Sequence, residues 1–99
     1  MPIIKAVLEA KPGKEQELEN ACRAMVAQVQ SETGVFIYTL HRCTDNPRKF
    51  FFYEKYADSQ AVDFHCNTSY LQAFLKQLPA LINGEADIEF YEEIAAVKR

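Results

Sequence analysis

The spacing of hydrophobic and polar positions changes along the chain, and each change marks an element. Ile3 to Ala10 sets Ile4, Ala6 and Leu8 against Ile3, Lys5 and Val7. The run is short, β-branched at its start and stopped by Lys11-Pro12-Gly13, which predicts a strand with apolar residues on both faces. From Lys14 to Thr33 the period lengthens. Leu18, Ala21, Cys22, Met25, Val26 and Val29 recur at steps of three and four, with Glu15, Glu17, Glu19, Arg23, Gln28 and Gln30 between them. That is an amphipathic helix of about 20 residues, about 30 Å long. Its acidic first turns suit the helix dipole, and Gly34 stands where a terminating glycine is expected.

Val35 to Arg42 is rich in β-branched and aromatic residues and predicts a strand, with Val35, Ile37, Thr39 and His41 on one face and Phe36, Tyr38, Leu40 and Arg42 on the other. Turn residues at Cys43 to Arg48 lead into a second strand, Lys49 to Tyr56. So short a connection makes an antiparallel hairpin. Phe50, Phe52, Glu54 and Tyr56 share one side of it; Phe51, Tyr53 and Lys55 share the other. Asp58 or Ser59 caps a short helix through Cys66, Asn67-Thr68-Ser69 interrupts and recaps it, and Tyr70, Leu71, Phe74, Leu75 and Leu78 form a second helical stripe. Pro79 is expected to end that stripe, and Asn83-Gly84 is its outer limit. Ala86 to Ala95 alternates Ile88, Phe90 and Ile94 against Asp87, Glu89 and Tyr91, a final strand.

The order β-α-β-β-α-β, with the second helical region in two pieces, predicts one α+β domain over residues 1–99. Its architecture is ferredoxin-like: an antiparallel sheet with helices on one face. The opposite face would carry Ile3, Val7, Phe36, Tyr38, Leu40, Phe51 and Tyr53, too apolar for water, so a homodimer packed sheet to sheet is expected.

Composition narrows the function classes. A net charge of −3 with scattered Lys and Arg gives no basic stripe for a nucleic acid. No apolar run reaches a membrane span and no signal peptide is visible. Three cysteines, Cys22, Cys43 and Cys66, without a CxxC, read as reduced thiols in a cytoplasm. Their spacing with His41 and His65 fits no zinc pattern, and no glycine-rich phosphate loop, GxSxG or HExxH occurs. Neither a metal nor a nucleotide or flavin cofactor is expected.

Chemistry concentrates at the end of the third strand and the helix after it. A carboxylate on an apolar face, Glu54, demands a partner. His65 lies four residues after Ala61 on one helix face, a placement that would aim its imidazole at Glu54 or Tyr56. One reading makes Glu54 a structural acceptor at a strand end. The other makes His65 a base oriented by Glu54, with Tyr56, in a pocket of Phe50, Phe52, Phe64 and Phe74. Tyr70 and Asn67, at the junction of the two short helices, are candidate ligand contacts, with packing and capping as their alternative roles. His41, Arg42 and Arg48 read as solvent-facing.

Five stretches occur together in order: Lys11-Pro12-Gly13-Lys14, Gly34-Val35-Phe36-Ile37-Tyr38, Phe52-Tyr53-Glu54-Lys55-Tyr56, Ala61-Val62-Asp63-Phe64-His65, and the aromatic segment Tyr70 to Leu75. Over nearly its whole length the chain thereby resembles the antibiotic biosynthesis monooxygenase domain family of small dimeric proteins. The resemblance implies a cofactor-independent monooxygenase that oxidises a quinol or polycyclic phenol with O₂, with His65, Glu54 and Tyr56 as catalytic candidates. Members also include haem degraders, which need an Asn and a Trp where this chain has Ala6 and Tyr56, so haem is not implied. A third branch processes a phosphorylated autoinducer-2 signal. It shares the Tyr-Glu-x-Tyr and Phe-His pattern, but this sequence has Tyr70 in place of a second His. A phosphorylated ligand would call for a basic anchor such as Arg42, Arg48 or Lys55. A non-catalytic small-molecule-binding dimer is the remaining alternative.

Overall fold

A computed structural model describes residues Met1–Arg99. The elements run β1 (Pro2–Glu9), α1 (Glu15–Val29), β2 (Val35–Cys43), β3 (Asn46–Tyr56), α2 (Ser59–Cys66), α3 (Ser69–Leu81) and β4 (Asp87–Glu92). The strands form one antiparallel sheet in the order β2-β3-β1-β4. This is the α+β, ferredoxin-like arrangement, with the helices on one face. No helix is long and apolar enough to cross a membrane.

Helix α1 lays Leu18, Cys22, Met25 and Val29 on the sheet, the i, i+4, i+7 spacing of its apolar stripe. They meet Leu8 from β1, Phe50 and Phe52 from β3, and Phe74, Leu78 and Leu81 from α3 in one core. The Asp58 side chain accepts the Ala61 amide at 2.9 Å and caps α2. Thr68 does the same for Leu71 and starts α3. The break between these helices is thus two consecutive caps.

Three expectations need correction. Helix α1 ends at Val29, with Gln30 as its cap, so Gly34 does not terminate it. Gly34 is required for another reason: a Cβ there would sit 2.7 Å from the Ala61 Cβ. Its lack of a side chain lets α2 approach the start of β2, and its carbonyl accepts the Ala57 amide at 2.9 Å. Pro79 lies inside α3, which continues to Leu81. The Pro79 carbonyl is held by Lys11 Nζ at 3.0 Å, and tertiary packing of Leu78 and Leu81 outweighs the missing amide bond.

The third correction concerns the open sheet face. Register pairs Tyr38 with Glu54 and Leu40 with Phe52, which places Tyr38 and Leu40 under the helices. Phe36 falls at an irregularity between Val35 and Ile37. The open face therefore carries Ile3, Val7, Ile37, Phe51, Tyr53 and Tyr91, seamed by charge pairs between Lys5 and Glu89 (3.8 Å) and Lys55 and Glu93 (3.1 Å). A one-residue irregularity in β2 was enough to exchange its faces.

Candidate functional site

A cavity of about 320 Å³ lies between the sheet and helices α2 and α3. Its floor is Ile4, Ala6, Leu8, Phe52 and Tyr38; Leu71, Phe74, Leu75 and Leu78 form the helical wall. Ile88 and Phe90 of β4, 48% and 68% exposed, stand at its rim. Only three lining residues, Glu54, His65 and Gln72, are polar beyond the Tyr38 hydroxyl and the Cys66 thiol.

His65, buried in the last turn of α2, faces this space, with its ring centroid 5.4 Å from Tyr38 and 5.7 Å from Tyr56. The partner that orients it is Glu32, not Glu54. Nδ1 lies 3.1 and 3.2 Å from the two Glu32 oxygens, and the Tyr70 hydroxyl donates to the same carboxylate. Because an ionised carboxylate only accepts, Nδ1 carries the hydrogen. In the neutral ring this leaves the lone pair on Nε2, which has no hydrogen-bond partner within the chain.

Glu54 is buried next to it and accepts from the Tyr56 hydroxyl at 2.6 Å. Tyr56 is fully buried behind Glu54 and does not line the cavity. Phe52 and Phe74 do line it, edge to face at 6.3 Å. Phe50 belongs to the core, with the Arg42 guanidinium 5.2 Å from its ring. Phe64 is 64% exposed and lines a separate pocket beside Glu32 and Gly34. Asn67 closes α2 by donating its side chain to the Asp63 carbonyl. Tyr70 reaches the site only through Glu32. Sequence reasoning missed Glu32, Tyr38 and the β4 rim. For Glu32 one signal existed: an acid just past the end of a helix opposes the helix dipole, so it needs a reason elsewhere.

None of the three basic side chains considered as anchors lines the cavity. Arg42 pairs with Glu19, Arg48 donates to the Ala10 carbonyl, and Lys55 lies on the open face with Glu93.

The family model described as antibiotic biosynthesis monooxygenase matches residues 1–77, more than three quarters of the chain. The chain belongs to the antibiotic biosynthesis monooxygenase family. Among solved structures, protein SO0527 from Shewanella oneidensis is 29% identical and superposes with a TM-score of 0.91, covering 96% of this chain and 92% of that one. A Bacillus subtilis protein named "Putative monooxygenase YcnE" is 26% identical over 88 residues, 89% of this chain and 93% of its own. The Synechocystis protein sll1783 is 24% identical over 90 residues, and the chain spans 61% of its length.

In this family member the two acids, Glu32 and Glu54, are both buried. Burial pushes the Glu54 carboxyl above the ordinary carboxylate range, partly offset by the Tyr56 hydrogen bond and the charge of His65. Burial, together with Glu54, holds Tyr56 far above the usual phenol range, so it remains a neutral donor. Burial also raises Tyr38. Cys22, on the buried face of α1, is pushed up to about 12 by burial and by Glu19, and is inert as a thiolate source.

A raised folded-state value for Glu54 means that the native chain holds its proton more tightly than the unfolded one. Stability from this group is greatest at low pH and declines as pH rises from the ordinary value of 4.5 through the folded one. Glu54→Gln should flatten that decline. In thermal melts from pH 4 to 8, wild type should lose ground to the variant as pH increases; parallel curves would contradict the assignment.

Proposed function

We propose that the protein is a monooxygenase that oxidises a quinol or polycyclic phenol with O₂ inside this cavity, with His65 as the base. The observation that carries the reading is an imidazole lining a mostly apolar hollow, with Nδ1 held by a buried carboxylate and Nε2 left without a partner in the chain. Triplet oxygen reacts slowly with closed-shell organic molecules, but a phenolate passes it one electron readily. The protein's share of the work is to bind the ring, take the phenolic proton on Nε2, and keep water from the oxygenated intermediate. Glu32 balances the imidazolium as it forms.

The electrons balance within the substrate. A naphthalene-1,4-diol plus O₂ gives a hydroxynaphthoquinone and water: one oxygen atom enters a ring C–H bond, the diol becomes the dione, and four electrons pass to O₂. His65 returns its proton to the departing oxygen, which leaves as water. A volume of about 320 Å³ suits a molecule of two or three fused rings and lies at the small end of ligand pockets. The reading that needs a phosphate anchor finds no cation in the lining. Oxygen-electrode measurements with a dihydroxynaphthoquinol are the direct test, and the decisive variant is treated in the Discussion.

The same reading includes a homodimer formed through the open sheet face and a cytoplasmic setting for its reduced thiols. Val7, Ile37, Phe51 and Tyr53 supply apolar surface there, and the charge pairs that cross it, Lys5 with Glu89 and Lys55 with Glu93, would set orientation. Sedimentation equilibrium should return twice the 11.4 kDa chain mass; a single-chain mass would remove the dimer.

A further inference from the structure

We propose that the cavity selects uncharged ring molecules and turns away anionic ones. The inference rests on the oxygenase reading for the kind of ligand and narrows its substrate class. It follows from what the lining offers a charge. Glu54 is 5% exposed and faces the hollow, and Glu32, also 5% exposed, stands behind His65. No Lys or Arg is among the lining residues.

The one group there that becomes cationic is His65, and its charge would already be answered by Glu32 at 3.1 Å. A carboxylate or phosphate entering this space would lose its hydration and gain no cation in return. The buried Glu54 carboxyl beside it, charged or protonated, supplies no positive charge to offset that loss. A neutral phenol meets neither cost. Its hydroxyl donates to the His65 Nε2 and its ring lies among Phe52, Phe74 and Leu78. The Tyr38 hydroxyl and Gln72 amide supply hydrogen bonds without charge.

Two probes that differ in charge test this in anaerobic calorimetry at pH 7, where neither needs to react: 1-hydroxy-2-naphthoate and its methyl ester. The ester should bind wild-type protein at least about tenfold more tightly than the acid. Gln72 is exposed on α3 and lines the cavity, so Gln72→Lys adds a cation outside the core, at the loss of one hydrogen bond from its Nε2 to the Cys66 carbonyl at 2.9 Å. In that variant the two dissociation constants should come within about threefold, through gain of the acid. Equal binding of acid and ester to wild type would overturn the inference, as would an unchanged ratio in Gln72→Lys or no binding of the ester at millimolar concentration. Oxygen uptake separates the two readings. Preference for the ester with no oxidation of a dihydroxynaphthoquinol would overturn the oxygenase and leave the charge selection standing. Oxidation of the quinol with no preference for the ester would overturn the charge selection alone.

Discussion

Replacing His65 with alanine is expected to lower oxygen uptake with a dihydroxynaphthoquinol at least about tenfold, the lower edge for losing a positioned proton acceptor. The ring is the only imidazole in the lining, and its Nε2 has no competing partner within the chain. Glu54 cannot replace it well, because its carboxyl is hydrogen-bonded to Tyr56 and burial favours its protonated form. The loss should fall on kcat. In the proposed reading the substrate would be held mainly by Phe52, Phe74 and the aliphatic wall, which the substitution leaves in place, so KM should move much less. His65→Gln, which keeps a polar side chain but no titratable base, should be equally impaired. Unchanged turnover in both variants would remove His65 from the mechanism.

Glu32→Ala should be the most damaging polar substitution for stability, costing about 3 kcal/mol. Its carboxylate is the shared acceptor for His65 and Tyr70, and its side chain is 2% exposed. Hydrogen bonds to a charged group contribute about 1.5–3 kcal/mol each, and removing the acceptor strands the buried Nδ1–H. For a domain of this size such a loss lowers the melting temperature by about 10 °C or more. Glu32→Gln keeps a carbonyl oxygen for one of the two donors and should recover part of the stability. It should recover less of the oxygen uptake, because a neutral amide does not balance an imidazolium. A melting temperature within a degree or two of wild type for Glu32→Ala would show that the carboxylate is not holding α2, α3 and the end of α1 together.

The two variants also show which parts of the site can be read from a linear chain. His65 and Glu54 stand out locally: an imidazole after an apolar helical run, and a carboxyl in a row of alternating aromatics on β3. Their neighbours in sequence make them anomalous, and burial of β3 follows from that alternation. Glu32 carries only a weaker mark, an acid just past the end of a helix. It occupies a polar turn between α1 and β2, thirty-three residues from its partner, and nothing in Ser31-Glu32-Thr33 says whether the side chain meets water or an imidazole. The assignment of Glu54 as the orienter of His65 failed for that reason: sequence proximity suggested a partner that tertiary geometry gave to Tyr56. Tyr38 was lost differently. Strict alternation in β2 put it on the open face, and an irregularity between Val35 and Ile37 turned it under the helices.

The order of elements, a helix cap at Asp58 or Ser59 and a second within Asn67-Thr68-Ser69, the apolar stripe of α1 and the family were determined by the sequence alone, because each depends on interactions between residues close along the chain or on patterns repeated within one element. Only the tertiary structure decided which carboxylate meets His65, why Gly34 has no side chain, which residues form the open face, and that the cavity contains no cation. Those facts depend on strand register and on how closely α2 approaches β2. They are set by contacts spanning tens of residues, whose energies no local pattern encodes.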